Sequence, residues 1–144
     1  MTKTYQALVD DRIYLGGASD VKDMITEEQC EVIVDLRGEA EECAYPGSDA
    51  QWIKIGLGDD ADEPQDVLFR QAIDTVVDAY RRGRKVGFHC GGGKGRTGAV
   101  AVGTLIALGK ASTIEEAEAM AKEIRPVISI RPPQREALEK LFDK

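Results

Sequence analysis

Apolar and polar positions along this chain fall into short blocks whose period switches between two residues and about 3.6. Arg12-Ile13-Tyr14-Leu15 is a brief β-leaning run and reads as an edge strand. Ser19 or Asp20 then starts a short helix. Val32 to Leu36 is an apolar run that fits a central strand, and Arg37 to Asp49 is a polar loop with Pro46 and Gly47. Trp52-Ile53-Lys54-Ile55 alternates apolar and polar, as a short strand does. Residues 66–82 place Phe69, Ala72, Ile73, Val76, Val77 and Tyr80 at helical spacing, and the cluster Arg81-Arg82-Gly83-Arg84-Lys85 ends that helix with a glycine stop. Lys85-Val86-Gly87-Phe88 is a further strand, and Thr97 to Leu108 is a small-residue run compatible with a helix. Ser112-Thr113-Ile114-Glu115 is a capping box opening a helix to about Ile124; Pro132-Pro133 opens the last one, with Leu138, Leu141 and Phe142 inward. Strands alternating with helices predict an α/β fold with a mainly parallel sheet. No repeat, linker or low-complexity segment interrupts it, so residues 1–144 are expected to form a single domain.

Composition narrows the function classes. The 42% of hydrophobic residues exclude a disordered chain, and no apolar run approaches the roughly 20 residues that span a bilayer. Membrane insertion is not expected, and the first residues lack the apolar core of a signal peptide. A net charge of −7 disfavours nucleic acid as a partner. Three cysteines, at 30, 43 and 90, are too few and odd in number for a disulfide framework, which suits a reducing cytoplasm. Cys30 or Cys43 is a candidate to bridge Cys90 under oxidation. With one histidine and no zinc-like ligand spacing, neither a metal nor a cofactor is expected.

The chemistry concentrates in His89-Cys90-Gly91-Gly92-Gly93-Lys94-Gly95-Arg96-Thr97-Gly98. A strand precedes this run and a helix follows it, so the loop's N–H groups and the positive helix end converge on one anion site. Gly91, Gly92, Gly93 and Gly95 let those groups turn inward, and Arg96 adds a planar fork for two phosphate oxygens. Cys90 would sit at the floor of that cradle, where a helix N-terminus and a cation favour the thiolate. A nucleotide-binding loop is excluded: Gly93-Lys94 is followed by Gly95, and Phe88 stands where the first glycine should be. The leaving group needs a proton from a positioned acid. The flexible acidic loop Gly56-Leu57-Gly58-Asp59-Asp60-Ala61-Asp62-Glu63-Pro64 offers Asp59, with Asp60 and Asp62 as alternatives, unless the run merely solvates and caps the next helix at Asp66.

His-Cys, five residues, then Arg-Thr-Gly resembles the signature of the cysteine-dependent protein tyrosine phosphatases. The chain length is similar to the compact dual-specificity branch; the low-molecular-weight branch carries its signature close to the N-terminus. The resemblance implies a twisted sheet with helices on both sides, no metal, and catalysis through a phosphocysteine with an upstream aspartate on a mobile loop. Asp59 lies 31 positions before Cys90, close to the branch's spacing, although Gly56 stands where the family often has proline. It also implies that Thr97 bonds the Cys90 sulfur as it leaves, that His89 orients the loop, and, more loosely, that Gln134 approaches the catalytic water unless it only caps the core. Asp35-Leu36-Arg37 resembles bacterial members, with Arg37 as an ion-pair former. Lys94 is similar to a loop lysine of phosphoinositide and inositol phosphate phosphatases, whose second lysine is replaced here by Gly91; otherwise it is a solvated side chain at the rim. The expected activity is protein tyrosine or dual-specificity phosphatase. Alternatives are an inositol polyphosphate or phosphoinositide phosphatase, or a non-catalytic phosphate-binding module. The expected partner is a phosphorylated protein or small phosphorylated substrate, taken by a monomer.

Overall fold

The strand Val86–Cys90 (β5) is buried along its whole length and forms the axis of the molecule. It lies mid-sheet, paired in parallel with Ile13–Gly17 (β2) on one side and Val32–Arg37 (β3) on the other. Gln51–Leu57 (β4) continues the sheet in parallel beyond β3, and Gln6–Val9 (β1) closes the opposite edge antiparallel to β2. The order is β1-β2-β5-β3-β4. The computed structural model describes residues 4–38, 41–57 and 64–142.

Alternation along β5 separates two cores. Val86, Phe88 and Cys90 face the larger one, against Gln65–Arg81 (α2), Arg96–Ala107 (α3), Ile114–Ile124 (α4) and Pro132–Phe142 (α5). A Cβ on Gly87 would meet Met24 and approach Ile33 and Cys30, so Gly87 faces the smaller core, covered by Val21–Thr26 (α1). Phe69, Phe88, Leu15 and Leu105 are each no more than 1% exposed, and burial of such side chains contributes about 1.5–3 kcal/mol apiece.

Three expectations are corrected. The run at Arg12–Leu15 is not an edge strand, because the unpredicted β1 covers it; Gln6–Val9 is too short and mixed in polarity to stand out alone. The cap of α4 is Thr113, which accepts from the Glu116 amide at 3.0 Å, while the Glu116 carboxylate accepts from Ser112 N at 3.1 Å. The box is therefore one residue later than read. Asp66 does not cap α2: Pro64 holds that position and Asp66 lies in the first turn, where a negative charge still suits the helix dipole. The glycine stop stands, with Gly83 at φ 81° directly after the Arg82 cap. Among the described residues, no helix is long and apolar enough to cross a membrane.

The oxidative bridge to Cys30 is also out of reach. Cys30 lies against Gly87 on the small-core face, whereas Cys90 is three residues further along β5 on the opposite face. That separates them by about 10 Å along the strand, beyond the span of a disulfide. All three cysteines are free.

Candidate active site

β5 ends at Cys90, the chain turns through residues 91–95, and α3 begins at Arg96. The turn lies at the carboxyl edge of the parallel strands, where open α/β sheets leave a crevice. Cys90 is only 4% exposed. Its sulfur accepts from Gly93 N at 3.3 Å and from Thr97 Oγ1 at 3.1 Å. Burial alone would push this thiol up. The Thr97 hydroxyl and amide, the Gly93 amide and the Arg96 charge outweigh it and hold the thiol below its ordinary value.

The loop is held from outside by its carbonyls. Ala18 N donates to Gly91 O at 3.0 Å, Arg125 Nη2 to Gly92 O at 3.3 Å, Arg125 Nε to Gly93 O at 2.8 Å, and Ser129 N to Lys94 O at 3.2 Å. In a trans peptide the N–H points opposite to the C=O. Four tethered carbonyls therefore turn the following amides toward the cavity. Gly93 has φ 70°, and a Cβ there would fall 2.7 Å from the Gly16 backbone, so only glycine lets the loop lie this close to β2.

Arg125 is the residue that sequence reasoning missed. It is 6% exposed at the end of α4, and its Nη1 also donates to Thr4 O at 2.6 Å and Gln6 Oε1 at 2.8 Å. One guanidinium thus joins the loop to the N-terminal strand. The local sequence offered only a cation before Pro126, which reads as a solvated helix end. Arg125→Met is expected to lower kcat/KM about 10²-fold by misplacing the loop, and to destabilise the fold by about 3 kcal/mol. Arg125→Lys should recover part of the activity. Steady-state kinetics and urea unfolding of the two variants check this, and wild-type rates in Arg125→Met would exclude the role.

Arg96 turns its Nη1 toward Leu57 O at 3.1 Å and Leu36 O at 3.4 Å, at the ends of β4 and β3. His89 is wholly buried, with Nδ1 3.0 Å from the Cys90 carbonyl. Burial holds its imidazole below the ordinary range against the opposing pull of that carbonyl and of Asp35, so the neutral ring donates from Nδ1. Its Nε2 lies 3.8 Å from Asp35 Oδ1. Asp35, also wholly buried, accepts from Arg37 N, Nε and Nη2 at 3.0, 2.9 and 2.8 Å, and from Trp52 Nε1 at 2.9 Å. Burial would raise the Asp35 carboxyl, but the hydrogen bonds from Arg37 and Trp52 outweigh it and hold the carboxyl below the usual range. Arg37 is thus an ion-pair former, as expected, and its partner is two residues away.

A carboxyl depressed by folding adds stability above its unfolded value of about 3.9 and loses it as pH falls through the lower folded value. Asp35→Asn is therefore expected to cost roughly 1.5–3 kcal/mol at pH 7 and to flatten the acid limb of stability below pH 4. Urea midpoints measured from pH 7 to pH 3 test both; parallel curves for wild type and variant would sink the assignment.

The cavity above Cys90 has a volume of about 400 Å³. Lys94 and Arg96 line it from the loop, Leu57 and Gln65 from one wall, and Arg131, Pro133 and Gln134 from the other. Gln134 packs against Gly95, where a Cβ would fall 3.0 Å from its amide, and its Oε1 accepts from Arg131 N at 2.9 Å. It therefore both caps α5 and faces the cavity. Asp59, Asp60 and Asp62 lie outside the described residues.

The sequence profile of the dual specificity phosphatase catalytic domain matches residues 13–144. Comparison with curated protein sequences gives no match. Among solved structures, human DUSP28 superposes with a TM-score of 0.82 at 18% identity, covering 99% of this chain and 95% of that one. PTPMT1 in complex with PI(5)P gives 0.79 at 20% identity, covering 96% and 94%. Tk-PTP in its active form gives 0.78 at 20% identity, covering 100% and 99%. At these identities the superpositions establish the fold. The profile reaches from β2 to the last residue and takes in the loop around Cys90, so the chain belongs to the dual specificity phosphatase catalytic domain family and is a cysteine-dependent phosphatase.

Proposed function

We propose that this chain hydrolyses phosphomonoesters without a metal ion, through a phosphocysteine at Cys90, and that phosphotyrosine and phosphoserine or phosphothreonine proteins are its substrates. The observation that carries the reading is the Cys90 sulfur, which takes hydrogen bonds from Gly93 and Thr97 inside a loop whose carbonyls are all tied away from the cavity. In the first step the thiolate attacks phosphorus; the S–P bond forms, the ester O–P bond breaks, and Asp59 gives its proton to the departing oxygen. Arg96 and the amides of residues 91–95 balance the charge on the equatorial oxygens. In the second step water attacks phosphorus, Asp59 takes its proton, and Thr97 stabilises the departing thiolate. Gln134, which faces the cavity, is suited to orient that water. His89 keeps the loop in register rather than touching the substrate.

A second reading, an inositol polyphosphate or phosphoinositide phosphatase, is supported by Lys94 in the cavity wall and by the likeness to a structure solved with PI(5)P. Hydrolysis of para-nitrophenyl phosphate by reduced protein with a chelator present tests the chemistry. The ratio of turnover on phosphotyrosine peptide to that on inositol phosphates then separates the two substrate classes. Binding of phosphate with no turnover on any substrate would leave the binding-module reading.

A further inference from the structure

We propose that Lys94 and Arg131 form a second anion position beside the Cys90 loop, and that the substrate carries a second phosphate near the reacting one on a polyol scaffold. This rests on the second reading of the site, an inositol polyphosphate or phosphoinositide phosphatase, and names the side chains that hold the additional phosphate there. Three cations line the cavity, Lys94, Arg96 and Arg131, with no carboxylate among the described lining residues. Arg96 and the loop amides suffice for one phosphate, which leaves two cations over. This surplus runs against the composition, with 26 acidic residues to 19 basic. Elsewhere arginines find partners within the fold: Arg37 with Asp35, Arg82 with Asp78, Arg135 with Glu118, and Arg125 with backbone carbonyls. Neither the Lys94 nor the Arg131 side chain makes an ion pair with a described residue, and both are exposed.

Backbone bonds fix the segments that carry the two cations. Ser129 N bonds Lys94 O and ties the segment before α5 to the loop, and Arg131 N bonds the Gln134 side chain, which faces the same cavity. The rest of the lining selects the scaffold. Gln65 and Gln134 are polar, only Leu57 and Pro133 are apolar, and no aromatic side chain occurs among the described lining residues. An aryl ring finds no ring to stack on, whereas hydroxyl groups find amides and cations. The same chemistry is offered by a soluble polyol bisphosphate and by a lipid headgroup.

The test compares wild type, Lys94→Ala, Arg131→Ala and Arg131→Lys at constant ionic strength. The readout is kcat/KM on an inositol bisphosphate divided by kcat/KM on an inositol monophosphate. That ratio is expected to fall about ten-fold in each alanine variant, mostly through KM, and to be largely restored in Arg131→Lys. An unchanged ratio in both alanine variants overturns the proposal. A doubly phosphorylated peptide that outperforms the inositol bisphosphate in wild type overturns the polyol scaffold. Better turnover of a water-soluble short-chain phosphoinositide bisphosphate than of the free headgroup assigns the lipid source, and the reverse assigns the soluble one; each supports the second position. Calorimetry with Cys90→Ser protein keeps the outcome separate from turnover. Inositol bisphosphate should bind about ten-fold more weakly when Arg131→Ala is added, even where no phosphomonoester is hydrolysed and the phosphatase reading has failed; equal affinities overturn the second position.

Discussion

Cys90→Ser is expected to remove phosphomonoester hydrolysis, by at least about 10⁴-fold, while phosphate binding persists. A serine hydroxyl nearly keeps the volume of the thiol and accepts the same bonds from Gly93 and Thr97, so the loop keeps its shape. What is lost is the ionised nucleophile: those two donors and Arg96 bring a thiol below its ordinary value of about 8.5, but not an aliphatic hydroxyl into the accessible range. The same argument predicts selective alkylation. Iodoacetamide should modify Cys90 with a pH midpoint below 8.5. Cys30 should resist, because burial pushes its thiol up to about 12. Activity above background in the serine variant, or a Cys90 midpoint at the ordinary value, would refute the thiolate mechanism.

Asp59→Asn should cost about 10²–10⁴ in turnover, the range for loss of a positioned general acid. Leu57, two positions before Asp59, and Gln65, six positions after it, both line the cavity over Cys90. The loss should be largest for substrates with poor leaving groups, since a good leaving group departs without a proton. An acid must be protonated to act, so the fall in kcat/KM at high pH should vanish in Asp59→Asn. A comparable loss in Asp60→Asn or Asp62→Asn, with Asp59→Asn near wild type, would move the role to that residue.

The local pattern of the chain carried most of the architecture. Residues 66–82 repeat their apolar positions every three to four residues, and the helix Gln65–Arg81 follows; the run at Val32 becomes β3. Cys90 and Arg96 line one cavity, with Thr97 bonded to the sulfur, because a five-residue glycine-rich loop between a strand and a helix allows little else. The capping box lies one residue beyond Ser112, since Ser112 and Thr113 are both good caps by type and only the backbone angles and the Glu116 amide bond of Thr113 distinguish them.

The sequence by itself determined the α/β class, the parallel strands and the glycine-rich loop between β5 and α3, because periodicity, capping and glycine placement are local and act over a few residues. Tertiary structure alone decided the rest. It set the edge position of β1, which rests on pairing rather than on its own hydrophobicity. It placed Arg125 under a loop 32 residues away and Asp35 behind His89, and it brought Arg131 to the same cavity as Lys94. In a linear reading a charged side chain has no direction. Whether it faces water, a partner or a cavity is settled by which elements pack together, and the desolvation cost of a buried charge is repaid only where the fold supplies its hydrogen-bonding partners.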